Sequence, residues 1–202
     1  MKWEDLASDA SIEKTVKALQ DRGIEVLVVD KGSDAKKKLL EMIPHGAEVM
    51  QVTSTTLDEI GVSKAIEDGN YKSLRKMILA VNDEAERLVL RKRSVGSTEY
   101  GIGSVHAVTE DGQVMVVSGS GSQIPVYSYG ATHVIWVVGT QKIVKNLDDA
   151  FKRVYEHSLP LEGERMGKVY GRPGSNINKI FILEKERPGR ITLIFVKEKL
   201  GF

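Results

Sequence analysis

The sequence predicts an α/β fold in which a mostly parallel central sheet is flanked by helices and followed by a C-terminal hairpin. Three observations lead there. Val114–Val117 and His133–Val138 are uninterrupted Val, Ile and Trp-rich runs rather than alternating ones, the habit of strands covered on both faces in parallel sheets. Short β-branched stretches at Ile24–Val29 and Glu48–Val52 alternate with helical patterns across short joints, as βαβ units do. A Gly/Ser-rich loop, Ser118–Gln123, leaves the first apolar run, and open α/β sheets form their ligand crevices at such strand exits.

The elements justify themselves in order. Ile12, Val16 and Leu19 recur at helical spacing behind Ser11 as a simple N-cap, and Gly23 ends that helix. Ile24–Val29 is a strand. A helix capped by Ser33 or Asp34 runs through Leu39, Leu40 and Ile43 and stops at Pro44 and Gly46. Glu48–Val52 is a strand that runs into Thr53–Thr56, and a short helix begins at Thr56 or Asp58 and ends near Gly69. Leu74, Met77, Ile78, Val81, Ala85, Leu88 and Val89 place one long amphipathic helix over Lys72–Lys92. Arg91–Arg93 reads as its solvated end.

Val95–Gly103 is turn-rich, and Glu110-Asp111-Gly112 turns the chain before Val114–Val117. Beyond His133–Val138, Asn146–His157 forms a helix with Leu147, Ala150, Phe151 and Val154 in the core, stopped by Pro160. Residues 162–178 are polar and Gly-rich, a candidate mobile loop. Strands on either side of Pro188-Gly189 make the hairpin. Val26–Val29, Val49–Val52, Val114–Val117 and Val134–Val138 are expected in one sheet. The whole, 1–202, reads as one α/β domain, with residues 1–10 as a flexible N-terminus.

The totals exclude several classes of function. A net charge of +1 over 202 residues gives no general attraction to nucleic acid or an acidic membrane. With 41% hydrophobic and 28% charged residues the chain is ordinary globular material. The absence of cysteine rules out disulfides, a thiolate nucleophile and any Cys-ligated iron–sulfur cluster in this chain. No apolar run approaches the ~20 residues that span a bilayer, and the N-terminus lacks an apolar signal segment, so the expected location is the cytoplasm.

Two loops carry the candidate chemistry. Ser118, Gly119, Ser120, Gly121, Ser122 and Gln123 offer hydroxyls and backbone N–H groups at a strand end, which suit a phosphate, carboxylate or thioester oxygen. The stretch is neither a P-loop nor a dinucleotide fingerprint, since it lacks the lysine of the one and the third glycine of the other. Thr53, Ser54, Thr55 and Thr56 form a second hydroxyl-rich strand exit, of which a helix cap explains one or two members. Parallel strands present their carboxyl ends on one edge, so both loops are expected in one crevice. Glu110 is the candidate catalytic carboxylate. It becomes a hairpin-turn residue if Val105–Thr109 runs antiparallel to Val114–Val117. Residues His45, His106, His133 and His157 show no metal-ligand spacing and read as structural or surface groups, so no metal site is expected.

Three stretches together resemble the LUD-domain family, named for lactate utilisation. They are Ile43-Pro44-His45-Gly46 with Val49 and Ser54–Gly61; Glu110-Asp111-Gly112 through Val134–Val144 to Asn146–Ala150 and Arg153; and Pro188–Ile191 to Leu200-Gly201-Phe202. The resemblance covers nearly the whole chain from about Ser11. It implies the α/β fold of ribose-phosphate isomerases, glucosamine-phosphate deaminases and CoA-transferases, whose members bind sugar phosphates or CoA esters at strand ends. Glu110 followed by Gly112 is also similar to the surroundings of a CoA-transferase's nucleophilic glutamate. Thr53 stands where the family more often has glycine.

The resemblance leaves three readings open. The first is an accessory or regulatory subunit that binds a small molecule in lactate-type organic-acid metabolism. The second is a stand-alone enzyme of CoA-transferase or sugar-phosphate isomerase type that uses Glu110. The third is a structural subunit. A small anionic molecule bearing phosphate, carboxylate or CoA is the expected ligand, with no resident cofactor. Other lactate-utilisation proteins are the expected partners, nucleic acid and membrane are not, and a homodimer is left open.

Overall fold

A computed structural model of the chain describes residues 3–171 and 174–202. Helix α1 (Asp9–Asp21) is capped by Ser8, whose hydroxyl accepts from the Ser11 N–H, and it buries Ile12, Thr15 and Leu19. Its charged positions face solvent, so one apolar stripe anchors it. Strand β1 (Glu25–Val29), helix α2 (Gly32–Met42) and strand β2 (Glu48–Gln51) follow. Ser54 then caps α3 (Thr55–Glu59), accepting from the Leu57 N–H, and α4 (Val62–Asp68) completes that segment.

The long helix expected over Lys72–Lys92 is interrupted. A two-residue strand β3 (Lys72–Ser73) leads into α5 (Leu74–Leu79), and α6 (Glu84–Gly96) restarts with Asp83 as N-cap. Asn82-Asp83 supplies the break, because Asp hydrogen-bonds a helix start better than it continues a helix. The turn-rich stretch before Ser104 is in fact strand β4 (Thr98–Gly103). Its glycines mark close approach rather than a turn. A Cβ on Gly101 would meet Val126 and one on Gly103 would meet the Tyr127 hydroxyl and, at 2.6 Å, Val52.

Strands β5 (Ala107–Thr109), β6 (Val114–Ser118), β7 (Ala131–Gly139) and β8 (Ile143–Val144) precede α7 (Leu147–Arg153), which Asn146 caps. Pro160 does not stop the helical run as expected. A widened turn at Val154–Ser158 passes into α8 (Leu159–Tyr170), where Pro160 occupies the first turn, a position that needs no N–H donor. The segment expected to loop from Glu162 is therefore helical to Tyr170; of the remainder, positions 172 and 173 lie outside the described residues. At the other end of the chain, positions 1 and 2 also lie outside them, Trp3 packs beside Ala150 and Val154, and Glu4 pairs with Lys199 at 2.6 Å.

Strands β9 (Lys179–Leu183) and β10 (Ile191–Val196) flank the Pro188-Gly189 turn. They divide between two sheets instead of pairing with each other. The large sheet has the order β1-β10-β7-β4-β2-β3 with every neighbouring pair parallel, and the small sheet has the order β8-β5-β6-β9. In the small sheet β6 is antiparallel to both β5 and β9. Val114–Val117 is thus not part of the parallel sheet. It is apolar on both faces for another reason: Val114 and Val116 pack with Trp136, Leu193 and Phe195 of the large sheet, while Met115 and Val117 pack with Ala150 and Val154 beneath α7. Two-sided burial produces an uninterrupted apolar run whatever the strand direction.

Behind the large sheet, Ala35, Leu39, Leu57 and Ile66 pack on Ile102, Ile135, Val137 and Ile194. Ile135 is 1% exposed at the centre of that layer, whereas the Lys37 side chain is 76% exposed with only a 4.0 Å contact to Glu41. Replacing Ile135 by Ala is expected to cost ~2–5 kcal/mol and Lys37→Ala no more than about 0.5. Denaturant unfolding of the two variants checks this, and equal midpoints would contradict the assigned core.

Candidate functional site

Parallel pairing sends the exits of β2, β4 and β7, three successive neighbours in the large sheet, to the same edge. The chain leaves β2 through Thr53–Thr56, leaves β4 through Ser104-Val105-His106, and leaves β7 through a tight turn at Thr140–Lys142. The small sheet lies beside this edge, so the exit of β6, Ser118–Gln123, faces the same space. Between them is a cavity of about 570 Å³, the size of a small-molecule site.

All four of Thr53, Ser54, Thr55 and Thr56 line this cavity, as do Ser118, Gly119, Ser120, Ser122 and Gln123. Gly121 does not line it. Its N–H donates to Ser118 Oγ (2.8 Å) with φ at +84°, and a Cβ there would run into the Lys179 side chain. The loop is braced from within: Gln123 Nε2 donates to the Val117 carbonyl (3.0 Å), and Asn178 Nδ2 to the Gly119 carbonyl (3.2 Å). Ser54 is a helix cap, and the Thr56 hydroxyl reaches the Leu200 carbonyl at 3.3 Å.

Glu110 is elsewhere, and its candidacy as nucleophile is withdrawn. Strand β5 runs antiparallel to β6, so Glu110 sits in the turn between them and not among the cavity residues. Its carboxylate accepts from Ser11 Oγ (2.7 Å) and Lys14 Nζ (3.1 Å), which ties the turn to α1. The Ser11 hydrogen bond, aided by Lys14, holds the carboxyl below its ordinary range despite partial burial. Ser11 lies within the first turn of α1, and Ser8, with extended backbone, caps the helix instead.

The residue that organises the site is Lys142, at the end of the β7 exit and 2% exposed. Its ammonium Nζ donates to Thr56 Oγ1 and to Ser104 Oγ, both at 3.2 Å, and among the described residues no carboxylate is bonded to it. One nitrogen therefore joins the exits of β7, β2 and β4. Burial pushes its pKa down to about 7, the Arg153 guanidinium adds to the shift, and Glu59 opposes it. Arg153 is itself fully buried. Its NH1 donates to the His106 carbonyl (2.7 Å) and Ser158 Oγ (3.0 Å), while Nε and NH2 have no hydrogen-bond partner. His106 also lines the cavity, and its Nδ1 accepts from the Val117 N–H at 3.2 Å. Burial, then Lys142 and Arg153, lower its pKa to about 3, so the ring is neutral with its proton on Nε2.

Arg75, Arg91 and Arg165 add to the positive lining, and Glu162, bound to Arg165 at 2.6 and 2.8 Å, is the one side-chain carboxylate among the described lining residues. A chain of net charge +1 thus places Arg75, Arg91, Lys142 and Arg165 around one cavity. Hydroxyls, backbone N–H groups and basic side chains all offer hydrogen-bond donors towards this space.

The fold and this site define an α/β protein with a cationic cavity at the carboxyl edge of a parallel sheet. The chain belongs to the LUD domain family, whose model matches residues 12–196. Its fold is similar to the crystal structure of a DUF162 family protein from Deinococcus radiodurans, with a TM-score of 0.58 at 12% identity over 95% of this chain and 99% of that one. A likeness to ribose 5-phosphate isomerase A from Neisseria gonorrhoeae has a TM-score of 0.36 at 16% identity and extends to 57% of this chain and 54% of that one. No curated protein matches the chain.

Lys142 has a measurable signature. Its folded pKa lies below the unfolded value, so between pH 7 and about 10 the unfolded chain binds the extra proton and folding stability rises with pH. Relative to a Lys142→Met variant, wild-type stability should climb across that window with a limiting slope of about 1.4 kcal/mol per pH unit. Parallel pH profiles of the two proteins would contradict the burial of a charge-bearing Lys142.

Proposed function

We propose that the chain binds a small organic anion in this cavity and serves as an accessory or regulatory subunit of lactate-type organic-acid metabolism in the cytoplasm. Lys142 carries the reading. A buried ammonium bonded to two hydroxyls and, among the described residues, to no carboxylate is costly, and an anionic ligand placed against it offsets that cost. Thr53–Thr56 and Ser118–Gln123 supply neutral donors around the same space, which lets one carboxylate or phosphate take several hydrogen bonds at once. The lactate-type setting comes from membership of the LUD family, and the partners are accordingly other proteins of lactate utilisation. Among the described residues no helix is long and apolar enough to cross a membrane.

Thermal-shift measurements with lactate, pyruvate, inorganic phosphate and CoA test the reading. A bound anion at about 100 times its Kd should stabilise the fold by roughly 2.7 kcal/mol. Lys142→Met should abolish the shift, and Glu110→Gln should leave it intact, because Glu110 lies outside the cavity. Failure of every anion to shift the transition, or a shift that survives Lys142→Met, would overturn the proposal.

A further inference from the structure

We propose that Lys142 captures its ligand covalently, forming an imine with an aldehyde or ketone that also bears a carboxylate or phosphate. This rests on the anion-binding reading and specifies the ligand class for the same site. The geometry is that of an amine nucleophile held ready. Nζ faces the cavity, is shielded from bulk water, and is fixed between Thr56 Oγ1 and Ser104 Oγ at 3.2 Å each. Lysines with a carboxylate partner stay protonated and unreactive. Here no carboxylate of the described residues bonds Nζ, and burial together with Arg153 outweighs the opposing pull of Glu59 on the proton.

The chemistry balances without any further reagent. The neutral Nζ attacks the carbonyl carbon, and the carbonyl oxygen takes up a proton to give a carbinolamine. Loss of that hydroxyl as water leaves the imine, so one C=O becomes one C=N and one water is released. The hydroxyls of Thr56 and Ser104 flank the nitrogen and are placed to pass the proton from nitrogen to the departing oxygen. The anionic group of the ligand then has its donors in the rest of the lining: Arg75, whose NH1 is buried without a hydrogen-bond partner, and the Ser118–Gln123 loop. A second cationic group near a desolvated lysine is a recognised way to keep such an amine neutral near pH 7. At that pH about half of Lys142 is neutral, against on the order of one in 10³ of an ordinary surface lysine.

Pyridoxal 5′-phosphate combines an aldehyde with a phosphate and serves as the probe. The whole chain is incubated with one equivalent at pH 7, the imine is reduced to a secondary amine with borohydride, and the labelled lysine is located by peptide mass. Labelling of Lys142 is expected on the order of tenfold faster than that of exposed Lys37, with suppression by inorganic phosphate. Lys142→Met should lose this fast phase, and the wild-type map decides the matter even if that variant folds poorly. Labels confined to surface lysines, with phosphate still producing a thermal shift, would overturn covalent capture and leave the anion site standing. No Lys142 label together with no phosphate shift would overturn both.

Discussion

Taking an ammonium group out of water costs several kcal/mol unless other charges and hydrogen bonds replace the water, and the edge of the large sheet is built around one such group. Lys142 ends the turn that follows β7, the strand that pairs with both β10 and β4. The turn that delivers it is tightly enclosed: a Cβ on Gly139 would meet the Gln141 side chain, the Glu198 carbonyl at 2.6 Å and the Leu200 N at 2.9 Å. Leu200 in turn accepts from Gln141 Nε2 at 2.8 Å and from the Thr56 hydroxyl, and the Gly201 N–H donates to Glu59 at 2.7 Å. The chain after β10 therefore clasps the exits of β2 and β7. Because the bonded partners of Lys142 are hydroxyls rather than carboxylates, nothing bonded to it offsets the cost of burying its charge, and its pKa falls to about 7.

The charged groups away from the cavity divide the labour differently. Glu110 fastens the β5–β6 turn to α1, and Arg22 reaches the Asp111 carbonyl at 2.8 Å and Glu184 of the segment after β9. These contacts hold the small sheet against α1. Arg190 likewise links Glu186 to the carbonyls of Ala131, at the start of β7, and of Tyr127, in the helical turn before it. Pairs of opposite charge thus do structural work along the sequence, while Lys142, where the strands of the large sheet end, has hydroxyls as its bonded partners.

Much of the fold was legible because burial on two faces leaves a mark in composition. Val26–Val29, Val49–Val52 and Val134–Val138 declared three strands of one parallel sheet, and Thr53–Thr56 declared a hydroxyl-rich exit. Val114–Val117 carried the same mark but belongs to the small sheet, since composition records how thoroughly a strand is covered and not which way it runs. Strand β4 was hidden by Gly101 and Gly103, which look like turn residues until Val126 and Tyr127 are seen filling the space a side chain would take. Lys142 and Arg153 fall within the stretches that resemble the family, and His106 reads as a structural or surface histidine, but nothing around the three in the sequence marks them as parts of the site. A lysine in Thr140-Gln141-Lys142 looks like any solvated turn, and only the three-dimensional closure of the Leu200–Phe202 segment and Thr56 over it makes it a buried cation. Family resemblance located the fold and was silent on this group.

The central claim, that Lys142 is a buried cation awaiting an anion, is tested most directly by a crystal structure of the protein grown with inorganic phosphate and compared with one grown without it. Phosphate density is expected in the cavity within hydrogen-bonding distance of Lys142 Nζ, with Thr56 and Ser104 still flanking that nitrogen. A phosphate-free cavity with Lys142 turned out to solvent, or paired with a carboxylate of the chain, would contradict it.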